Sequence, residues 1–348
     1  MASKNLISIE DLSRSEIESL FSDTDDIRRF PGEFGNALAG KIVFTLFCQP
    51  STRTRLSFES AAYRLGARVL SVCDMHSTRQ PLGESLLDTT RMAGYYSDAL
   101  VARHADHGVM EQIKATLDVP LINAGEGLAR HPTQTLIDLY TAREHFDTLD
   151  GLRVGLVGGL RYSRAVKSLL VGLGQFRDVE LHAVDAASEA DDGSPLPADL
   201  AAAARRPIHL HDSVQAMLGH VDLLYVVRVQ REMFSDAALY QRQLDKCRVH
   251  RALLAKAPPW LAVMHCLPRT DELDTDVDAT PQNKYFLQAA YGVPLRMAVL
   301  RRYMTQPQGG GSGGTGGSGG GGARGLAADA LSRRAIDVLS NDELSLAW

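Results

Sequence analysis

Ser51-Thr52-Arg53-Thr54-Arg55 is a short segment dense in hydroxyl and guanidinium groups; it follows the β-rich run KIVFTLFCQ and opens STRTRLSFESAAYRLG, which reads as a turn and then a helix. A helix N-terminus carries unpaired backbone N–H groups and a partial positive charge. Hydroxyls and a guanidinium added there make a phosphate site without a Gly-rich loop. The bland alternative, an N-cap beside a solvated arginine, needs only one hydroxyl. His131 stands before Pro132 at a second helix start, in a polar stretch that suits a functional histidine. Arg164 alone reads equally well as a solvated helix charge. With Arg228 and Gln230 at the end of a strand it reads as a carboxylate clamp, because a planar guanidinium matches a carboxylate in two hydrogen bonds.

The elements that must position these groups alternate. DALVAR, PLINAG, LRVGLVGGL, VELHAVD, VDLLYVVR and WLAVMHCLP read as strands, and ARVLSVCD as another. HPTQTLIDLYTAREHF and RAVKSLLVGLGQF read as helices, the first with Leu136, Leu139 and Tyr140 on one side. Such alternation implies α/β architecture: two doubly wound parallel-sheet domains, with a site in the cleft between them at the carboxyl ends of the strands. The run GLVGGL at 155–160 lacks the full G-x-G-x-x-G order, so its glycines are assigned to packing and turning rather than to a dinucleotide. Residues 185–200 are acidic and rich in small residues, and read as a surface loop.

Four separated motifs, in order over nearly all of residues 5–303, resemble the aspartate/ornithine carbamoyltransferase family, most closely the aspartate carbamoyltransferase catalytic chain. S-T-R-T-R followed by Leu56-Ser57-Phe58-Glu59 is similar to the carbamoyl-phosphate signature. Arg103-His104 follows a strand at the expected distance, His131-Pro132-Thr133-Gln134 resembles the second signature, and His265-Cys266-Leu267-Pro268-Arg269 the third. The resemblance implies that Ser51, Thr52, Arg53 and Thr54 hold the phosphate of carbamoyl phosphate. It implies that Arg103 neutralises the leaving phosphate and His131 donates to the carbonyl oxygen, and that Gln134 and the Leu267 carbonyl orient the carbamoyl NH2. Arg53, Thr54, Arg103 and His131 form its catalytic group. Arg164, Arg228, Gln230 and Cys266 face the acceptor. The implied assembly is a homotrimer with a loop shared between subunits, and the implied chemistry needs no metal or organic cofactor.

The acceptor side departs from the family pattern. Leu82 stands where the family places a lysine before Gly83-Glu84, and Ser77, Thr78 and Arg79 are what remains to supply a hydroxyl and a charge from that loop. Ala165 replaces a threonine, and Tyr291 an asparagine. Cys266 resembles the ornithine branch. The expectation is retained carbamoyl phosphate chemistry with aspartate or a related amino acid as acceptor. The alternatives are a peptide-tailoring enzyme of this fold and a binding homologue without catalysis.

The chain has 348 residues, 45% hydrophobic and 23% charged, with a net charge of -5. That balance fits a globular protein of two domains and argues against nucleic acid as a partner. No apolar run approaches the ~20 residues needed to cross a bilayer, and the N-terminus does not read as a secretory signal, so a cytoplasmic setting is expected. Cys48, Cys73 and Cys247 are expected to be reduced, buried thiols. No cysteine pair has zinc spacing. The domain expectation is 1–145 plus 285–305 for carbamoyl phosphate and 146–284 for the acceptor. Residues 306–322, QPQGGGSGGTGGSGGGG, form a flexible linker with a reach of a few tens of ångström. Residues 323–348 form a peptide tail with amphipathic spacing, which the alternative reading takes as a tethered ligand or substrate.

Overall fold

The computed structural model describes residues 4–74, 82–128, 130–187 and 196–305. Ser77, Thr78 and Arg79, the linker 306–322 and the tail 323–348 lie outside the described residues. In chain order the elements are α1 (Arg14–Arg29), β1 (Ile42–Phe47), α2 (Thr52–Arg64), β2 (Arg68–Val72), α3 (Leu86–Tyr96), β3 (Ala99–His104), α4 (Val109–Lys114), β4 (Leu121–Glu126) and α5 (Pro132–Phe146). There follow β5 (Arg153–Gly158), α6 (Arg164–Leu173), β6 (Glu180–Asp185), α7 (Ala198–Ala204), β7 (Ile208–Leu210), α8 (Val214–Met217), β8 (Leu223–Val226), α9 (Ala237–Cys247), α10 (Arg251–Leu254), β9 (Ala262–His265) and α11 (Tyr285–Thr305).

All pairings are parallel. The first sheet runs β2-β1-β3-β4 and the second β7-β6-β5-β8-β9. Strands β1, β3 and β4 of the first sheet and β5, β8 and β9 of the second are buried almost throughout, as parallel strands covered by helices on both faces are, while the edge strands β2 and β7 are largely exposed. On β1, Val43 and Phe47 face one core while Phe44 and Leu46 face another. On β8, Leu223 and Tyr225 share the first of these cores, while Leu224 and Val226 face a third. One continuous apolar core therefore joins the inner faces of both sheets, and α5 and α11 contribute Leu136, Leu139, Leu295 and Val299 to it. At about 1.5–3 kcal/mol per fully buried side chain, this shared core is what fixes the two sheets against each other.

Two expectations are corrected by packing. The surface loop expected over 185–200 gives way at Ala198 to α7, and Leu200 is buried in the shared core; one leucine among alanines was enough to seat a short helix. Cys73, the residue after edge strand β2, is exposed, and Cys48 is only partly covered. Cys247 is buried as expected. The glycines of 155–160 are close-approach positions. A Cβ on Gly155 would stand 3.0 Å from Met217 Sδ, and one on Gly158 (φ 118°) only 2.0 Å from the Val227 carbonyl oxygen.

Candidate active site

Strand ends and helix starts gather the chemistry. Ser51–Thr54 lie at the end of β1 and the first turn of α2. Arg103 is the penultimate residue of β3. His131 and Gln134 open α5 after β4, Arg164 opens α6 after β5, Arg228 and Gln230 follow β8, and Leu267 follows β9. Three helix N-termini thus add partial positive charge to that of the arginines.

Ser51 occupies the N-cap of α2 but its side chain makes no capping hydrogen bond. Its hydroxyl remains available, as do those of exposed Thr52 and buried Thr54. Arg103 donates from Nη1 to the Ala124 carbonyl at 3.1 Å, and its Nε is buried with no partner. A Cβ on Gly125 (φ 122°) would stand 2.7 Å from Arg103 Nη1 and 3.5 Å from Arg164 Nη1, so both guanidiniums converge where only glycine fits. Arg164 also donates to Gln49 Oε1 at 3.2 Å, and its Nη1 is buried and unpartnered. Burial, Arg164 and Arg53 together push Arg103 down to about 10. Arg296, on α11, is buried over the Phe58 ring at 4.9 Å and is pushed down to about 9 by burial, against the pull of Asp138. Among the described residues, no carboxylate pairs with Arg53, Arg103, Arg164 or Arg296.

His131 sits inside this ring of cations. It is 6% exposed, and burial, then Arg103, Arg296 and Arg164, hold its pKa far below the ordinary histidine value. The imidazole is therefore neutral, with one N–H to donate and no proton to release. Its Nδ1 is buried without a partner.

Gln134 donates from Nε2 to Asp138 Oδ1 at 2.7 Å, which leaves its carbonyl oxygen as the free end. Asp138 also accepts from Gln288 Nε2 at 2.6 Å and from the Tyr225 hydroxyl at 2.7 Å. The last of these links α5 to the second sheet. Burial raises Asp138 to about 7 despite these bonds. Cys266 lies against Tyr225, and burial pushes its thiol up to about 12, so it stays protonated and is no nucleophile at neutral pH. Leu267 has φ 54°, a conformation that a branched residue adopts only when held. The holding group is His265, whose Nδ1 accepts from the Leu267 N–H at 2.8 Å and whose Nε2 meets Glu272 Oε1 at 3.0 Å, with both side chains fully buried.

Residues 4–144 match the family profile described as Aspartate/ornithine carbamoyltransferase, carbamoyl-P binding domain, and residues 150–303 match the Aspartate/ornithine carbamoyltransferase, Asp/Orn binding domain. The chain belongs to this carbamoyltransferase family. Curated relatives include the aspartate carbamoyltransferase catalytic subunits of Pyrobaculum arsenaticum, 40% identical over 304 residues (87% of this chain, 99% of the relative), and Methanothermobacter thermautotrophicus, 41% identical over 314 residues (88% and 97%). Among solved structures, the catalytic subunit of M. jannaschii aspartate transcarbamoylase superposes with a TM-score of 0.81 at 37% identity, covering 88% of this chain and all of that one. The Trypanosoma cruzi aspartate transcarbamoylase in complex with carbamoyl phosphate and aspartate superposes at 0.77 with 32% identity, covering 85% and 94%.

Within this carbamoyltransferase fold the expected residues do not all converge. Arg53 acts electrostatically on both Arg103 and Cys266 and so stands with the His131 group. Gln230 Oε1 packs over Gly159, where a Cβ would come within 2.0 Å. Arg228 is instead ion-paired with Glu232 one helical turn on, at the surface. Tyr291 has a packing reason for its departure from the family: its ring meets Tyr140 edge-on at 5.2 Å and carries the Arg28 guanidinium at 4.5 Å. Sequence reasoning passed over Arg296, Asp138, Tyr225 and Gln288. Asp138 carried the only visible signal, an acidic residue one turn after Gln134 on a helix otherwise buried nearly all round.

Proposed function

We propose that this chain transfers the carbamoyl group of carbamoyl phosphate to the α-amine of an amino acid, with aspartate as the first candidate. One observation carries the reading: the guanidiniums of Arg103, Arg296 and Arg164 bear on a neutral histidine, Arg53 stands beside Arg103, and among the described residues no carboxylate forms an ion pair with any of the four. Such a pocket demands an anionic ligand, because a buried charge without a partner is costly.

The amine nitrogen attacks the carbamoyl carbon, the carbon–oxygen bond to phosphate breaks, and inorganic phosphate leaves with the proton lost by the amine. Ser51, Thr52, Arg53 and Thr54 hold the phosphate, and Arg103 takes up its growing charge. His131 donates its N–H to the carbonyl oxygen as negative charge develops there, which is where a fixed donor lowers the barrier most. Gln134, aligned by Asp138, and the Leu267 carbonyl, aligned by the His265–Glu272 pair, accept from the carbamoyl NH2. Arg164 and Gln230 take the acceptor carboxylates, beside Cys266, and Arg228 joins them on release from Glu232. Holding both reactants in register is itself a large part of the acceleration. The carbamoyl-phosphate half is assigned to 1–145 plus 285–305 and the acceptor half to 146–284; the packing of α11 on α1, α2 and α5 supports giving it to the first half.

We assign the working unit as a homotrimer in which the loop containing Ser77, Thr78 and Arg79 serves a neighbouring site. Tyr63 and Leu70 near one sheet edge, with Leu82, Tyr95 and Tyr96, are exposed apolar side chains of the kind a subunit interface covers. A cytoplasmic setting goes with this reading; among the described residues no helix is long and apolar enough to cross a membrane.

The test is incubation with carbamoyl phosphate and each amino acid in turn, with phosphate release measured and products read by mass spectrometry. Carbamoyl-aspartate is the expected product. A mass gain on residues 323–348 would favour the peptide-tailoring alternative, and a folded protein that releases no phosphate with any amine would favour the binding homologue.

A further inference from the structure

The end of one strand fixes which way the Gln134 amide faces. The backbone N–H of His265, the last residue of β9, donates to Gln288 Oε1 at 2.9 Å. A backbone N–H can only donate, so Gln288 presents its oxygen there and turns its NH2 the other way. That NH2 donates to Asp138 Oδ1 at 2.6 Å. Asp138 Oδ1 is thereby held as an acceptor, and it accepts a second time, from Gln134 Nε2 at 2.7 Å. Asp138 Oδ2 accepts from the Tyr225 hydroxyl at 2.7 Å. A proton taken up by Asp138, which burial raises to about 7, therefore sits on Oδ2 and leaves the Oδ1 side unchanged. Asp138 and Gln288 are each 1% exposed, while Gln134, the last member of the chain, is half-buried. Two donors or two acceptors facing each other in such a place would be costly, so no bond of the chain reverses by itself.

We propose that Gln288 and Asp138 are positioning residues that set the donor specificity of the site: by holding the Gln134 oxygen outward, they select a phosphorylated donor with an NH2 on its carbonyl carbon over the methyl analogue of the same size. The inference rests on the carbamoyl-phosphate reading above. Carbamoyl phosphate and acetyl phosphate share the phosphate and the carbonyl, so the arginines and His131 act alike on both. They differ at one group, which donates two hydrogen bonds or none. The outward oxygen of Gln134 and the Leu267 carbonyl are two acceptors for those two N–H groups. A methyl in that place leaves both acceptors unpaired, and a site built to pair an N–H rejects an analogue that lacks it. A reversed Gln134 amide would set donor against donor. Nothing in Gln134 itself forbids the reversal, because its oxygen and NH2 fill nearly the same volume. The direction is imposed from β9, through Gln288 and Asp138. His265 orders the other acceptor as well, since its Nδ1 accepts from the Leu267 N–H.

The test is calorimetric titration of the full chain with two stable phosphonates, phosphonoacetamide and 2-oxopropylphosphonate, which carry NH2 and CH3 respectively and cannot transfer their acyl group. The parent should bind the amide about 10-fold more tightly, or better. Asp138→Asn alone should keep that preference within about threefold, because Gln288 still offers its NH2 and draws the oxygen of the new amide to the Oδ1 position. Asp138→Asn with Gln288→Glu keeps the volumes and the charge count but reverses the chain. The new carboxylate at 288 accepts from the new amide at 138, whose second N–H then takes the Gln134 oxygen. The preference should fall at least about fivefold, whereas a mere disturbance of packing would weaken both ligands alike. Asp138→Leu, which unties the Gln134 amide, should give a smaller fall and serves should the double variant not fold. Equal binding of the two phosphonates by the parent, an unaltered preference in the double variant, or its loss in Asp138→Asn alone would overturn the proposal. Failure of both phosphonates to bind the parent would instead bring down the carbamoyl-phosphate reading, and this inference with it.

Discussion

Replacing His131 with alanine tests the electrostatic argument at its centre. The ring is 6% exposed, so its donor acts in a site largely shielded from solvent. Loss of one fixed donor to a developing oxyanion costs about 2.7–4 kcal/mol, which is a 10²–10³-fold drop in kcat. The KM for carbamoyl phosphate should change little, because in the proposed mechanism the phosphate contacts are assigned to Ser51–Thr54 and Arg103. His131→Gln, which keeps an N–H at similar reach, should recover part of the rate. The pH profile adds an independent reading. Burial and three guanidiniums keep the imidazole neutral well below its ordinary value, so the parent enzyme should show no ionisation near 6.5 that vanishes in His131→Gln. Phosphate release under saturating amino acid measures all of this. A loss below about tenfold, or a parent limb near 6.5 abolished by the glutamine variant, would refute the role given to the neutral ring.

Leu82→Lys should restore a cation to the loop. A charged hydrogen bond is worth about 1.5–3 kcal/mol, so kcat/KM for aspartate should rise about 10- to 150-fold; an unchanged value would show that this loop does not approach the site. Glu232→Gln releases Arg228 from an exposed pair worth about 0.2–1 kcal/mol, and the acceptor KM should fall by up to about fivefold with kcat unchanged in steady-state assays. Glu272, fully buried, is drawn down to about 2 by hydrogen bonds from His265 and Thr270, which overcome the opposing effect of burial. Its folded value lies below its unfolded one, so its contribution of about 3 kcal/mol is complete above about pH 4.5 and is lost as pH falls toward 2. Urea melts across that range should show the loss in the parent and a flatter, lower curve for Glu272→Gln. Equal slopes would refute the assignment.

The phosphate-side chemistry was legible because it is local. Ser51–Thr54 and His131–Gln134 each sit within one turn of a helix start, so each group can be read from its own segment, and the family resemblance is what assigned both to one site. The alternating strand and helix runs also declared a parallel-sheet fold, since short, near-continuous apolar runs such as LRVGLV and LLYVV between helix-like stretches suit strands buried on both faces. Residues that work across the chain were not legible. Arg296 lies far along α11, and only tertiary packing brings it beside His131; an arginine in an apolar helix has no spacing signature. The Asp138–Tyr225–Gln288 knot joins three elements by side chains alone. Cys73 and α7 were misread because solvent exposure at a sheet edge and burial of a single leucine are decided by neighbours distant in sequence. Tyr291 looked like a change in the acceptor site, yet its contacts are with Tyr140 and Arg28.

The unbalanced guanidiniums around His131 carry a practical consequence for anyone handling the protein. A fold that confines several like charges is under tension, and any small multivalent anion that settles among them relieves it. Phosphate is both a common buffer and the expected leaving group. Samples kept in phosphate should therefore melt higher and turn over more slowly than samples in a zwitterionic buffer of equal ionic strength, so storage stability and catalytic vigour would rank preparations in opposite orders.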